Sequence, residues 1–203
     1  ALKCKEINNK YSDQSIAILV RGRSHLRAII PALRRMGLNW QAHDIMPLAS
    51  RMPVVDLMSM TRALLSPADR IAWLSLLRAP FCGLGMSDLL LLTNSTQRNA
   101  YRGDPIIEQL GTILSSNSFY EFSSYGQTSL QRIVPVLLNA WENRGRNNFR
   151  NALEHTWQQL GGPASLSGGA DLSDVRRYLD LVETWQMAGI INDWANFELA
   201  VDK

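Results

Sequence analysis

From about residue 46 onward the apolar residues recur at helical spacing almost without interruption, and this period dictates a packing of helices rather than a sheet. Val54, Leu57, Met58, Thr61, Leu64 and Leu65 trace one amphipathic helix. Residues 67–78 form a second, with a nearly continuous apolar centre that predicts deep burial. Pro80 and the turn Gly83-Leu84-Gly85 stop it, and Ser87 is placed to cap a helix through Leu92. After a polar stretch over 93–104, the serine-rich region 111–126 reads as loop with a short helix before it. Leu130, Ile133, Val134, Leu137, Leu138 and Trp141 then keep helical spacing around an internal Pro135. Phe149, Ala152, Leu153, Trp157 and Leu160 mark another helix, and residues 161–169 read as a flexible glycine-rich connector. Asp171 or Ser173 caps a helix carrying Leu172, Val175, Leu179 and Val182. Ile190, Trp194, Phe197 and Val201 mark the last one, which runs to the end of the chain.

The first 45 residues read differently. Residues 1–14 are polar and suit a short helix or an ordered tail. Ile16-Ala17-Ile18-Leu19-Val20 is short, apolar and partly β-branched, the composition of a buried strand. Ser24 can cap a helix in which Leu26, Ile29, Ile30 and Leu33 share a face, Pro31 should kink or shorten it, and Gly37 ends it. Residues 38–43 are compatible with a second short strand. The predicted architecture is mainly α: a small β-α-β piece over 1–45, joined to a bundle of about seven or eight helices over 46–203.

Composition limits the function. The hydrophobic fraction of 46% suffices for a packed core, and no apolar run approaches the roughly 20 residues of a membrane span. Cys4 and Cys82 lie far apart and read as free thiols of a reducing, cytoplasmic compartment. The chain opens on Ala1 rather than Met, as a piece of a longer protein would. No Gly-Lys-Ser/Thr phosphate loop and no Gly-x-Ser-x-Gly elbow occurs, and His25, His43 and His155 lack metal spacing. No catalytic residue, metal ligand or cofactor is expected within these residues.

Two features point to phosphate. Residues 14–42 contain no acid but hold Arg21, Arg23, Arg27, Arg34 and Arg35. Arginine forks suit phosphate oxygens, and Arg21 and Arg23 would sit where an α/β strand ends. Arg34 and Arg35 suit a solvated helix face equally well. Second, Gly83-Leu84-Gly85 leads into a helix, and backbone N–H groups at a helix start attract anions. Most such turns merely reverse the chain. Arg144, Arg146 and Arg150 form a further cluster, read first as a solvated surface.

Taken in order, these segments resemble one family. Residues 16–27, an apolar strand followed by Arg21 and a helix closed by Gly37, resemble the segment opening the second motor domain of UvrD/Rep-type DNA helicases. Asp56-Leu57-Met58 with Ala63-Leu64-Leu65-Ser66-Pro67-Ala68-Asp69 resembles that family's helix ending in a Pro-containing turn. Trp73 to Pro80, running into Gly83-Leu84-Gly85, resembles its Gly-Ile-Gly element. The wording leans to the RecB/AddA-like, exonuclease-associated branch, and the matches span residues 15–92. The resemblance implies a parent that is an ATP- and Mg-dependent 3′-to-5′ translocase of DNA repair or recombination, with this chain as its helical accessory insertion. It carries DNA contact over to Gly83, Leu84, Gly85 and Ser87, beside the Arg21, Arg23 and Arg27 read from charge. The implied partners are duplex or junction DNA, the remaining motor domains and a possible partner subunit, and no membrane. Cys82 stands where the family often has a basic residue. That departure and the mild net charge of +3 favour the alternative, a helical module that docks a partner or regulates the motor, with Trp141, Trp157, Trp185 and Trp194 as possible anchors.

Overall fold

The helical period is realised in a computed structural model that describes residues 2–11, 15–22, 25–38, 47–98, 105–145, 148–189 and 193–201. Of residues 27 and 94–98 only the backbone is described. The chain divides into two compact units, Ala1–Met46 and Pro47–Lys203.

In the first unit, α1 (Leu2–Lys10) buries no side chain. Its sequence has too few apolar residues to offer a core face. Helix α2 (Leu26–Arg35) buries Leu26 and Leu33. It runs through Pro31 without being shortened there. Gly37, at φ +69°, closes it: its N–H donates to the Arg34 carbonyl, and the Leu38 N–H reaches back to Leu33. This pairing satisfies two terminal carbonyls and needs the left-handed backbone that glycine adopts freely.

Among the described residues the expected β-α-β piece is not formed. Residues 15–20 have no regular structure, and Leu19 is 95% exposed. β-Branched composition favours a strand only where a neighbouring strand takes up its N–H and C=O groups and a core takes its side chains. Among the described residues neither is supplied. Of the proposed second strand only Leu38 is described, and it belongs to the turn that closes α2 rather than to a strand. The proposed cap Ser24 lies outside the described residues.

The second unit is a bundle of eight α-helices among the described residues. Helix α3 (Met52–Leu65) is its axis and packs against α4 (Arg70–Arg78), α8 (Phe149–Gln159) and α9 (Gly169–Met187). It therefore buries more than one face: Val54, Leu57, Met60, Thr61 and Ala63 are wholly inaccessible. The Thr61 hydroxyl donates to the Leu57 carbonyl at 2.8 Å and shares a 2.6 Å hydrogen bond with the Tyr178 hydroxyl. That bond satisfies both groups in the core. Asp69 ends the turn after α3 and caps α4, accepting from the Ala72 N–H and pairing with Arg62.

Helix α5 (Met86–Arg98) follows, then α6 (Ile106–Ile113), a 3-10 turn over Asn117–Glu121, and α7 (Ser124–Glu142) capped by Ser123. Pro135 does not break α7, which continues to Glu142. Residues 161–169 are not an open connector. Gly162–Ser165 forms a 3-10 turn, and a Cβ on Gly162 would stand 2.0 Å from Trp157 Nε1. Helix α9 begins at Gly169, ahead of both proposed caps, and Asp171 instead reaches back to accept from the Ser167 N–H. In α10 (Trp194–Val201), Phe197 is enclosed by the rings of Tyr178, Trp185 and Trp194. The later tryptophans thus pack into or against the core. No helix among the described residues is long and apolar enough to cross a membrane.

Candidate nucleic-acid interface

The turn between α4 and α5 is built mainly by its own backbone. The N–H groups of Cys82 and Gly83 both donate to the Ala79 carbonyl, at 2.9 and 2.8 Å, and that of Leu84 donates to Leu77 at 3.0 Å. Phe81 and Leu84 point into the core, and Cys82 is wholly buried. Burial pushes the Cys82 thiol up to about 12, with the nearby Arg132 charge opposing and Asp56 assisting. Asp56 is itself raised by burial. Cys82 is therefore a packing residue, unsuited to nucleophilic chemistry at neutral pH.

Two side chains hold this turn from elsewhere in the bundle. Arg132 of α7 donates to the carbonyls of Phe81 (2.8 Å) and Cys82 (3.3 Å), and to Leu160 at the end of α8 (2.8 Å). At Leu160, the C-cap of α8, the cation is also favoured by the helix's negative end. Asp88, in the first turn of α5 and only 2% exposed, accepts from the Ser123 N–H at 2.9 Å and the Ser123 hydroxyl at 2.8 Å. It thereby ties the start of α5 to the start of α7. Space there is tight: a Cβ on Gly126 would lie 2.5 Å from Asp88 Oδ2. Gly83 is doubly constrained, with φ +78° and the Tyr125 hydroxyl 2.9 Å from where its Cβ would stand.

The residues expected to meet DNA divide accordingly. Gly83 and Leu84 form the turn, with their N–H groups already used and the Leu84 side chain buried. Gly85 and Ser87 are exposed at the start of α5, next to the exposed Met86. Ser87 lies inside α5 rather than capping it. The N–H groups of residues 86–88 open the helix and so have no carbonyl one turn behind them within it. Arg21 is exposed in the first unit, Arg23 lies outside the described residues, and Arg27 lies in α2. Arg34 and Arg35 are exposed on the last turn of α2. In the other cluster, Arg144 lies over the Trp141 ring at 3.4 Å, and Arg150 pairs with Glu154 at 2.6 Å. Arg146 is outside the described residues.

Asp88, Arg132 and Tyr125 were not singled out from sequence. Asp88 had one local signal, an acid in the first turn of a helix. The partners of Arg132 lie 28 to 51 positions away, and nothing local announces them. Among the described residues no three His, Cys, Asp or Glu side chains gather as a metal site. Compared with known families, curated proteins and solved structures, the chain matches no family model, no curated protein and no solved structure.

Proposed function

We propose that this chain is a DNA-contacting accessory segment of a UvrD/Rep-type, ATP-driven 3′-to-5′ DNA helicase acting in repair or recombination in the cytoplasm. ATP and Mg binding, and hydrolysis, then belong to motor domains elsewhere in the parent protein. The observation that carries the reading is the exposed start of α5. It is presented by a turn that Arg132 and Asp88 fix to the rest of the bundle. Backbone N–H groups at a fixed helix start hold a phosphate oxygen without reading the base, as a translocating motor requires. The ordered sequence resemblance over residues 15–92 supports the same reading.

The test is fluorescence anisotropy of the chain with a short duplex bearing a 3′ single-stranded tail, over a salt series. Binding in the micromolar range that weakens with salt is expected, since phosphate contact releases counterions. Ser87→Glu suits a helix N-terminus and leaves the fold intact, yet should weaken binding by about threefold or more through repulsion of phosphate. Gly83 is a poor test position, because its backbone and Tyr125 tolerate no side chain. Absence of binding at low salt, or a Ser87→Glu variant that binds like the parent, refutes contact at this turn.

A second reading, docking of a partner, is favoured by one feature. Leu74, Ser75 and Arg78 of α4, with Met86, Leu89, Leu90 and Thr93 of α5, line an open groove of about 300 Å³ that is largely apolar.

A further inference from the structure

The charge of the chain is unevenly divided between its two units. Ala1–Met46 holds eight Lys and Arg against three Asp and Glu, a net of +5, whereas Pro47–Lys203 holds thirteen against fifteen, a net of −2. Among the described side chains of the first unit, Lys3, Lys5, Lys10, Arg21, Arg34 and Arg35 are all exposed, and Glu6 is the one acid.

Folding gives little reason for the lysines of α1. The helix buries no side chain, so their stems cover no core. Lys10 suits the last turn, but Lys3 and Lys5 stand among the first four residues, where the helix dipole disfavours cations, and no acid stands in that turn to offset them. Side chains that act against their own helix point to a use outside it. Lys3 and Lys10 are seven positions apart, hence on one face and about 10 Å apart along the axis. That is the axial span of about three phosphates on one DNA strand. Glu6 is a neighbour of both on the helix surface. The Lys10 ammonium also stands 5.5 Å from the centroid of the Tyr11 ring, a contact that holds the charge without neutralising it.

The kind of ligand follows from what α1 lacks. Beside Cys4, Leu2 and Ile7 are its only apolar side chains, too few for the face with which a helix enters a membrane surface or anchors a protein partner. A phosphodiester backbone requires charge and no apolar contact. We infer that α1 is a second, sequence-independent nucleic-acid contact, in which Lys3, Lys5 and Lys10 meet backbone phosphates. The exposed Arg21 and Arg35 of the same unit add to its positive field. This contact shares its class of ligand with the proposed site at the start of α5 but none of its residues, so either can fail without the other.

The probe is a fluorescein-labelled duplex with a 3′ single-stranded tail, titrated with the whole chain by anisotropy from about 50 to 200 mM salt. Lys3→Gln/Lys10→Gln should weaken binding about threefold or more and flatten the slope of log K against log salt by about one to two, at roughly 0.9 per lost phosphate contact. Lys3→Arg/Lys10→Arg should bind like the parent, and Glu6→Gln should bind more tightly. Arg176→Gln/Arg177→Gln, at exposed positions of α9, removes the same charge from the second unit and should leave the slope unchanged. None of these positions is buried, and circular dichroism checks that the variants remain folded. An unchanged slope in Lys3→Gln/Lys10→Gln, or an equal loss in the α9 pair, overturns contact through α1. Weakening by Ser87→Glu alone overturns it while the α5 contact stands, and weakening by the lysine pair alone does the reverse. Absence of binding at low salt overturns both. Co-sedimentation with phosphatidylglycerol vesicles that the lysine pair abolishes, without binding of the DNA, overturns the inference in favour of a lipid surface.

Discussion

Gly126 and Asp88 form a pair whose energetics can be read with a sign reversal. Alanine at position 126 would place its methyl carbon 2.5 Å from Asp88 Oδ2 and 2.6 Å from Asp88 Cγ. The carboxylate has nowhere to retreat, because it is buried and holds the Ser123 N–H and hydroxyl. Yielding would lengthen two hydrogen bonds to a charged group, each of order 1.5–3 kcal/mol when made, and overpacking adds about 1–3 kcal/mol. Against this, alanine is favoured over glycine in a helix by roughly 0.5–1 kcal/mol. The net expectation for Gly126→Ala is destabilisation by about 3 kcal/mol. In an Asp88→Ala background the obstructing carboxylate is gone, and the same substitution should become neutral or stabilising by up to about 1 kcal/mol. Urea unfolding of the four proteins of this cycle, followed by far-ultraviolet circular dichroism, gives the coupling directly. A coupling below about 1 kcal/mol, with Gly126→Ala equally harmful in both backgrounds, refutes the clamp between α5 and α7.

Two further expectations concern the interior. Burial holds the Cys82 thiol protonated up to about 12, whereas the unfolded thiol titrates near 9.0. Its stabilising contribution is complete below pH 9 and is lost as pH rises from 9 towards 12, at no more than about 1.4 kcal/mol per unit. Urea midpoints should therefore fall across this range. The deficit of a Cys82→Ala variant relative to the parent should shrink as pH rises, and a deficit constant from pH 7 to 11 counts against the buried thiol. Tyr178, also raised by burial, acts in the same direction. Gly162→Ala meets the Trp157 indole at 2.0 Å and should cost about 2–3 kcal/mol in urea unfolding with a perturbed tryptophan emission. Unchanged emission and midpoint would show that this turn is not packed on the ring.

Helical class was written in the sequence because a 3.6-residue period creates an apolar stripe whatever the stripe packs against. The stripes of α3, α7, α8 and α9, and the arrest of α2 at Gly37, needed only neighbours a few positions away. The Gly83-Leu84-Gly85 turn was equally visible, since its glycines answer to local backbone geometry. Its role was less so. Whether Leu84 faces solvent or core, and whether the Gly83 N–H is free, depends on carbonyls and side chains of other helices. Ile16 to Val20 has the composition of a strand, but a strand is a relation between segments and its partner is not local. The Asp88–Ser123 link spans 35 positions, and the reach of Arg132 to Leu160 spans 28. Periodicity carries no information about such pairs, because they exist only once the helices are packed. The sequence alone determined the apolar stripes that turn inward along α3, α7, α8 and α9, whereas the deep burial expected over 67–78 fails at Ile71, which is 72% exposed; the tertiary structure decided which polar groups the helices spend on one another, and so which are left at the start of α5 and along the α4–α5 groove.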